Sequence, residues 1–241
     1  MRKSAILILL VTILTGAILF SGCSTIGLEK VVTQEKDLAD FMSVGVRGPF
    51  AVEIIQSDSY STTITVDRRM LRCLVVSKEG TTLKMSLKAN TPLCPTPLRA
   101  MITMPSLYEL RLNEAAKVTV KGFESSSDFA VYLSGASSLS GYVEAGDTEF
   151  ELSEASRVVL EGSASDINLN ASGTSEVDLR DFIIHNAIVT ISEASWVNMG
   201  EVERLDGDLS GNSRLLYTGD PVTGDIAISQ DSVMEKVRPG G

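Results

Sequence analysis

Histidine, aromatic residues and basic residues are all scarce in this sequence of 241 residues. His185 is the only histidine, Trp196 is the only tryptophan, and aromatic residues make up 5% of the chain. One histidine leaves little room for histidine-based metal sites or charge relays, so we expect no cofactor and no metal. The 21 basic residues face 31 acidic ones, for a formal net charge of −10. That balance argues against nucleic acid as a partner, because phosphate backbones bind basic surfaces.

The N-terminus carries the pattern of a bacterial lipoprotein leader. Arg2 and Lys3 precede a long apolar run that ends at Phe20, and two small residues then lead to Cys23. This ending resembles a lipobox, although Phe20 stands where leucine is usual. It predicts a signal peptide over residues 1–22 and lipidation of Cys23 by diacylglycerol and an amide-linked acyl chain such as palmitate. An uncleaved membrane anchor is the alternative.

The residues after the cysteine indicate where the protein is sent. Ser24, rather than an aspartate, follows Cys23 and resembles an outer-membrane sorting signal. Residues 23–40 are polar and predict a tether. We therefore expect an outer-membrane lipoprotein held to the membrane by its lipid, facing either the periplasm or the cell exterior.

A six-residue unit recurs seven times, and successive units begin 18 to 21 residues apart. Around each unit apolar and polar residues alternate, as at Val131 and Leu133 before one unit and at Val158 and Leu160 at the end of the next. This period of two is typical of strands with one buried face. The units are residues 113–118, 134–139, 153–158, 172–177, 192–197, 210–215 and, more weakly, 229–234.

The length of the repeat selects the fold. A repeat of about 19 residues is too short for helical repeats or propeller blades. It fits one coil of a parallel β-solenoid, in which each coil pairs with the coils above and below. The sequence predicts an all-β solenoid of about seven coils over residues 107–234, with a tail at 235–241.

Small residues fill the corner between the two strands of each coil. The first corner position is serine in six of seven units, and so is the fourth. Stacking places equivalent residues of neighbouring coils about 4.8 Å apart, where a hydroxyl can bond to its neighbour or to corner amides.

At the second corner position Glu114, Glu154 and Glu193 alternate with glycine. We interpret the alternation as relief of like-charge contact. An acidic stripe that holds cations is the alternative, but such widely spaced carboxylates make no tight cage.

Residues 41–106 lack the corner unit but remain strand-like. They contain a turn at Gly48 and Pro49 and a proline-rich loop over residues 91–97. A solenoid needs its end strands covered. This region is therefore predicted to be either a capping sheet or a set of irregular first coils.

Three features, in this order, resemble a known family. They are the segment from Gly48 to Ile54, the segment from Ile102 to Leu107, and the Ser-Gly-Ala-Ser corner that begins at Ser134. Together they resemble the GIN-domain family of bacterial envelope proteins, the auto-transporter adhesin head domains, over roughly residues 41–234. The resemblance implies a secreted, right-handed β-helix with a surface or adhesive role, and it brings no catalytic residues.

The two cysteines in the body of the chain form a disulfide hypothesis. Cys73 and Cys94 are 21 residues apart, close to one coil, and neighbouring coils lie within the Cα range of a bridge in an oxidising compartment. The alternative places Cys73 in the core and Cys94 in the proline-rich loop.

One corner column is the candidate binding surface. Trp196 occupies the fifth corner position, and we expect the column of residues at this position to be exposed. The column also contains Lys117, Ser138, Arg157, Glu176 and Arg214. A tryptophan there can stack on a sugar ring or anchor a protein contact. The corner glutamates Glu114, Glu154 and Glu193 belong to the same predicted surface.

No catalytic constellation is predicted. His185 has no serine or cysteine beside it in a hydrolase-type motif. Five acidic residues are of a type that can act as a general acid and base, but nothing in their spacing predicts that two of them share a site. They are Glu53, Asp67, Asp128, Asp147 and Asp166. Coils without insertions leave no walls for a cleft.

Three functional hypotheses remain. The first is a lipid-anchored, non-enzymatic β-solenoid that binds or adheres, with a glycan or an envelope protein as partner. The second is a structural envelope module that self-associates through its sheet faces or edges. The third is a carbohydrate-active enzyme, which the lack of a cleft disfavours.

Overall fold

The computed structural model describes residues 31–91 and 98–238. Within these ranges the only helix is the short 3-10 helix Arg68–Arg72, and nineteen strands join in one sheet. No described helix is long and apolar enough to cross a membrane, and the predicted leader with Cys23 lies outside the described residues. In chain order the strands are β1 (Val31–Lys36), β2 (Ser43–Arg47), β3 (Ala51–Gln56), β4 (Ser61–Asp67), β5 (Leu74–Glu79), β6 (Thr82–Leu87), β7 (Leu98–Met104), β8 (Glu109–Asn113), β9 (Lys117–Glu124), β10 (Phe129–Leu133), β11 (Ser138–Glu144), β12 (Thr148–Leu152), β13 (Arg157–Ala171), β14 (Glu176–Leu179), β15 (Phe182–Ile191), β16 (Trp196–Leu209), β17 (Arg214–Thr218), β18 (Val222–Ile228) and β19 (Val233–Lys236).

Most strands pair in parallel with strands one coil away. Strand β10 pairs with β8 and β12, and β11 pairs with β9 and β13. Strands that precede a corner form one face of the stack, which we call face A, and strands that follow a corner form face B. The seven corner units are joined by about six turns of the chain. The prediction of an all-β solenoid is confirmed.

The strand alternation places every second side chain inside the solenoid. Val131 on β10 and Phe150 on β12 are in register, and both are fully buried. Such side chains form one continuous core from Phe41 to Leu215. Each large apolar side chain buried in this way contributes about 1.5–3 kcal/mol, so the core is the main stabilising element.

The N-terminal region forms both coils and a cap, and its coils stack out of chain order. Strands β2 and β3 pair in parallel with β6 and β7 on one side and with β8 and β9 on the other. The first coil of the chain therefore lies between the second and the third. Beyond β6 and β7 the sheet ends in the antiparallel strands β5, β4 and β1, which cover its edge.

Two predicted boundaries shift. Residues 31–36, which the sequence assigns to the polar tether, form β1 and pair with β4. This pairing gives the backbone of β4 the partners that an open sheet edge lacks, and Thr33 and Thr65 also join their hydroxyls at 3.1 Å. At the other end β19 continues to Lys236, inside the predicted tail.

The second corner position has the left-handed backbone conformation in every coil. Its φ is 67° at Glu114, 73° at Gly135, 62° at Glu154 and 78° at Gly173, and the three later coils repeat it. A glutamate in this conformation is strained by about 1–2 kcal/mol, whereas glycine adopts it freely.

The alternation of glutamate and glycine also has a steric cause. A Cβ at Gly135 would lie 2.7 Å from the carbonyl oxygen of Glu114 in the coil beneath. At that step the amide of Ala136 donates to the Glu114 carbonyl at 2.6 Å. Where glutamate follows glycine the coils are further apart, and the amide of Ala155 reaches the Gly135 carbonyl at 3.0 Å. Glycine thus permits every second corner to close tightly.

The serine at the fourth corner position points inward and is buried. Three of these six hydroxyls donate to the first corner carbonyl of their own coil, as Ser156 does to Ser153 at 2.7 Å. Direct bonding between stacked hydroxyls occurs between Ser213 and Ser232, at 3.3 Å. The serines therefore bind corner carbonyls more often than the corner amides that the sequence suggests. They are Ser137, Ser156, Ser175, Ser195, Ser213 and Ser232.

Candidate binding surface

One row of outward-facing residues runs along face B beside the corners, and we call it row B. The strand registers place the predicted binding residues Arg157, Trp196 and Arg214 in this row. They also extend it beyond the repeat units into the N-terminal region, to Ala51 and Arg99. In stacking order row B consists of Arg99, Ala51, Lys117, Ser138, Arg157, Glu176, Trp196 and Arg214.

The C-terminal half of row B contains ion pairs on both sides of the tryptophan. Arg157 Nη1 lies 2.8 Å from a Glu176 carboxylate oxygen, and Arg214 Nη2 lies 2.9 Å from Glu235. Trp196, between Glu176 and Arg214, is half-buried. Each exposed pair contributes at most about 1 kcal/mol, so these side chains are free to exchange their partners for a ligand.

The N-terminal half of row B contains Lys117 and Ser138, which the repeat places in the column, and two residues that the sequence analysis missed, Arg99 and Ala51. Arg99 and Lys117 lie on either side of Ala51 and are exposed. They border a surface groove of about 510 Å³. Lys117 belongs to a corner unit, but Arg99 and Ala51 lie outside the repeat, so only the out-of-order stacking brings the three together.

The corner glutamates lie beside row B rather than in it. Glu114, Glu154 and Glu193 are all exposed, and Glu114 accepts a hydrogen bond from Arg47 Nε at 2.7 Å. Among the described residues no three His, Cys, Asp or Glu side chains are grouped so that they could hold a metal ion.

Face A carries a second groove, of about 480 Å³, which the sequence analysis also missed. The guanidinium of Arg111 lies 3.8 Å from the ring centre of Tyr132 and binds Glu109 at 2.7 Å. Tyr132 donates its hydroxyl to Glu149 at 2.9 Å, and this hydrogen bond, together with burial, raises the pKa of Tyr132. All four groups are engaged with one another, so this end of the groove is a closed network.

Three of the acids named from the sequence do share a site, contrary to the prediction. Asp128 and Asp147 directly precede β10 and β12 on face A, Asp166 occupies the equivalent position within β13, and the three line one surface depression. Their separation of 19 residues equals one coil, which was the signal in the sequence. Asp128 accepts from the amide of Asp147 at 3.2 Å, and Asp166 accepts from Asn186 at 2.7 Å. Two of the three carboxylates thus accept hydrogen bonds from the neighbouring coil, and the residues that line the depression include no serine, cysteine or histidine.

The remaining predicted residues are dispersed. His185 is exposed on β15, and Glu53 on β3 pairs with Lys121. Cys73 is half-buried and follows the 3-10 helix, whereas Cys94 lies outside the described residues. The disulfide therefore stays a prediction.

Two buried aspartates bind the arginine two residues further along. Asp67 accepts from Arg69 Nε at 3.1 Å and from its Nη2 at 3.0 Å, and these hydrogen bonds lower the pKa of Asp67. Asp178 accepts from Arg180 Nε and Nη2 at 2.9 and 2.8 Å. Burial raises the pKa of Asp178, but the hydrogen bonds from Arg180 outweigh it, so the pKa is lowered overall.

Comparisons with known proteins agree with this architecture. The family model described as "Putative auto-transporter adhesin, head GIN domain" matches residues 40–221. A comparison with curated proteins finds no match.

Several solved structures share the fold. A "putative adhesin" from Bacteroides fragilis has a TM-score of 0.81 and 14% sequence identity, covering 86% of this chain and 97% of that one. A "putative lipid binding protein" from Parabacteroides distasonis has a TM-score of 0.72 and 20% identity, with coverage of 86% and 97%. A "putative adhesin" from Parabacteroides merdae has a TM-score of 0.66 and 14% identity, with coverage of 88% and 98%. At such identities the likeness shows the fold alone.

Proposed function

This chain belongs to the GIN-domain family of adhesin head domains, and from that premise we propose that it is a lipid-anchored, non-catalytic adhesion module of the bacterial cell envelope. Row B is the observation that carries the proposal. Its residues lie on strands that are hydrogen-bonded to neighbouring coils, so the row is a rigid, regular surface. Such a surface binds an extended partner without needing a cleft.

The position of the cap supports anchoring through the N-terminus. Strand β1, the first described element, lies in the cap beyond β6 and β7. A chain lipidated at Cys23 would enter the solenoid at this end, and the coils from β8 to β19 would project away from the membrane. Two or more acyl chains make such anchoring stable.

The grooves support a role without catalysis. The groove beside row B contains cations, threonines and one acid, Glu53, which Lys121 neutralises. The stacked aspartates Asp128, Asp147 and Asp166 are solvated and have no histidine, serine or thiol partner among the residues that line their depression. Hydrolysis of a glycan uses two carboxyl groups in the separate roles of acid and base, whereas Asp128 and Asp166 accept hydrogen bonds from neighbouring coils.

Protease shaving of intact cells tests the proposal. We expect external protease to remove the protein, metabolic labelling with a palmitate analogue to mark it, and Cys23→Ala to abolish the label and release the protein from membranes. Full protection from protease in intact cells, with digestion after lysis, would contradict adhesion at the cell exterior. The alternative of a self-associating envelope module stays a prediction. That alternative would be favoured if the purified protein forms oligomers as its concentration rises and if intact cells that carry the protein do not adhere.

A further inference from the structure

Three cations of row B recur at every second strand. Arg99, Lys117 and Arg157 are separated by the small residues Ala51 and Ser138. Neighbouring strands are about 4.8 Å apart, so the positive charges repeat at about 9.6 Å along the solenoid axis. The small residues between them leave space above the sheet at the intervening positions.

Two of these cations are not neutralised by the protein. Neither Arg99 nor Lys117 forms an ion pair or a side-chain hydrogen bond within residues 31–91 and 98–238. Arg157 shares its charge with Glu176, and most other arginines of the solenoid bind a carboxylate in the same way. In a chain with a net charge of −10, an uncompensated pair of cations on one groove is a local reversal of the surface charge.

The groove between these cations has the lining of a sugar-binding surface. Thr65 and Thr119 line its two sides, each with its hydroxyl bonded to a neighbouring hydroxyl, and Met101 presents an apolar side chain that is 48% exposed. The nearest acid, Glu53, is held by Lys121 and does not oppose an incoming anion. Hydroxyl groups, an apolar contact and fixed cations together suit a ring that carries a carboxylate.

We propose that row B from Arg99 to Arg157 binds an acidic polysaccharide that carries one carboxylate on every second sugar. Two pyranose rings of an extended chain span a length close to two coil rises, so successive carboxylates would meet Arg99, Lys117 and Arg157 in turn. The intervening uncharged rings would lie over Ala51 and Ser138. This inference rests on the proposed adhesive function and names its ligand class. A nucleic acid fits less well, because its phosphates are spaced more closely and the rest of the chain is acidic.

The test is a titration of the mature chain, carrying Cys23→Ala to remove the lipid, with oligosaccharides of hyaluronan. That polymer has a carboxylate on every second sugar. We expect binding that weakens as salt is raised, and that weakens by about tenfold or more in the Arg99→Gln/Lys117→Gln variant, since hydrogen bonds from charged groups are lost. The matched control, Lys78→Gln/Lys88→Gln, removes two charges from the β5–β6 side and should change binding by less than about twofold.

A second variant tests the space between the cations. Ala51→Glu places a carboxylate there without removing either cation, and we expect it to abolish binding while circular dichroism stays unchanged. Absence of binding to hyaluronan, or equal losses in the two double variants, would overturn the inference. So would equal binding of dextran sulfate, duplex DNA and hyaluronan, because it would show non-specific attraction. If the protein does not bind hyaluronan but external protease removes it from intact cells, the polysaccharide site is wrong and the proposed adhesive function stands. If the protein binds hyaluronan but is fully protected from external protease, the adhesive function is wrong and the polysaccharide site stands.

Discussion

The two ends of the solenoid are finished in different ways. At the N-terminal end the antiparallel strands β5, β4 and β1 cover the last coil. At the C-terminal end β18 and β19 have no further strand beside them among the described residues. Leu209 and Ile228 occupy the same inward column in neighbouring coils, yet Leu209 is 1% exposed and Ile228 is 49% exposed.

This difference shows that identical positions in the repeat do not contribute equally. An inner coil is covered on both sides, so each inward side chain is removed from water by two neighbours. The last coil is covered on one side. Its strands are therefore expected to open at a lower free energy than those of the middle coils or of the cap.

The largest difference between the regions should come from glycine substitutions. Gly162 in the coils has φ 125°, and a Cβ there would lie 1.9 Å from the carbonyl oxygen of Val143. Gly80 in the β5–β6 hairpin of the cap has φ 58° and nothing within 4 Å. We expect Gly162→Ala to lower the free energy of unfolding by about 4 kcal/mol, and Gly80→Ala by about 1 kcal/mol. Urea unfolding measures both, and equal losses would contradict the close stacking of the coils.

The next effect compares a middle coil with the open end. Leu209→Ala should cost about 3 kcal/mol, because it leaves a cavity between covered coils. Ile228→Ala should cost about 1 kcal/mol, because half of that side chain is already in water. A loss at Ile228 as large as that at Leu209 would show that the C-terminal end is covered in solution. The same measurement over a range of protein concentrations would identify a second copy as the cover.

A smaller effect concerns acid. Asp67 in the cap and Asp178 in the coils have lowered pKa values in the folded state, so their ion pairs stabilise the protein above the unfolded pKa of about 3.9. That stabilisation is lost as the pH falls through the folded pKa. We expect the Asp67→Asn/Asp178→Asn variant to be less stable near neutrality and to lose less stability than the wild type below about pH 4. The two single variants show which region contributes more. Parallel pH profiles for variant and wild type would contradict the assignment.

The smallest effects should come from two buried threonines. Thr62 in the cap is 0% exposed and Thr148 in the coils is 3% exposed, and neither hydroxyl has a hydrogen-bond partner in the described part of the chain. Valine has a similar shape and no polar atom, so Thr62→Val and Thr148→Val should each raise stability by up to about 1 kcal/mol. Thermal unfolding checks this. Ser156→Ala is the control, because its hydroxyl is bonded and its loss should destabilise.

The regular coils could be predicted because each coil meets the same constraints. The left-handed second corner position and the buried serine recur at a fixed spacing, so their residue types recur as well. The position of β2 between β6 and β8, and of β3 between β7 and β9, could not be predicted. Apolar and polar residues alternate in these strands as they do in every other strand, and no local sequence feature indicates which strands they pair with.

In the candidate binding surface too, residues within the repeat could be predicted and residues outside it could not. The column of Arg157, Trp196 and Arg214 follows from the repeat, and the stacked aspartates at 128, 147 and 166 were present in the same spacing but were not recognised. Arg99 joins the row only through the out-of-order coil. A residue outside the repeat has no spacing to reveal its position, and its role depends on contacts between distant parts of the chain.

The out-of-order coil has a mechanical consequence. In a solenoid whose coils stack in chain order, the terminal coil unfolds first, because it has a neighbouring coil on one side only. Here the first coil, residues 43–56, is held between residues 82–104 and 109–124. Tension applied through an N-terminal tether would first reach β1, for which the described residues provide one partner strand, β4. After β1 detached, the same tension would have to break two sets of strand pairings at once to extract residues 43–56. The chain thus meets a pulling force first with a weakly held edge strand and then with its most firmly held coil.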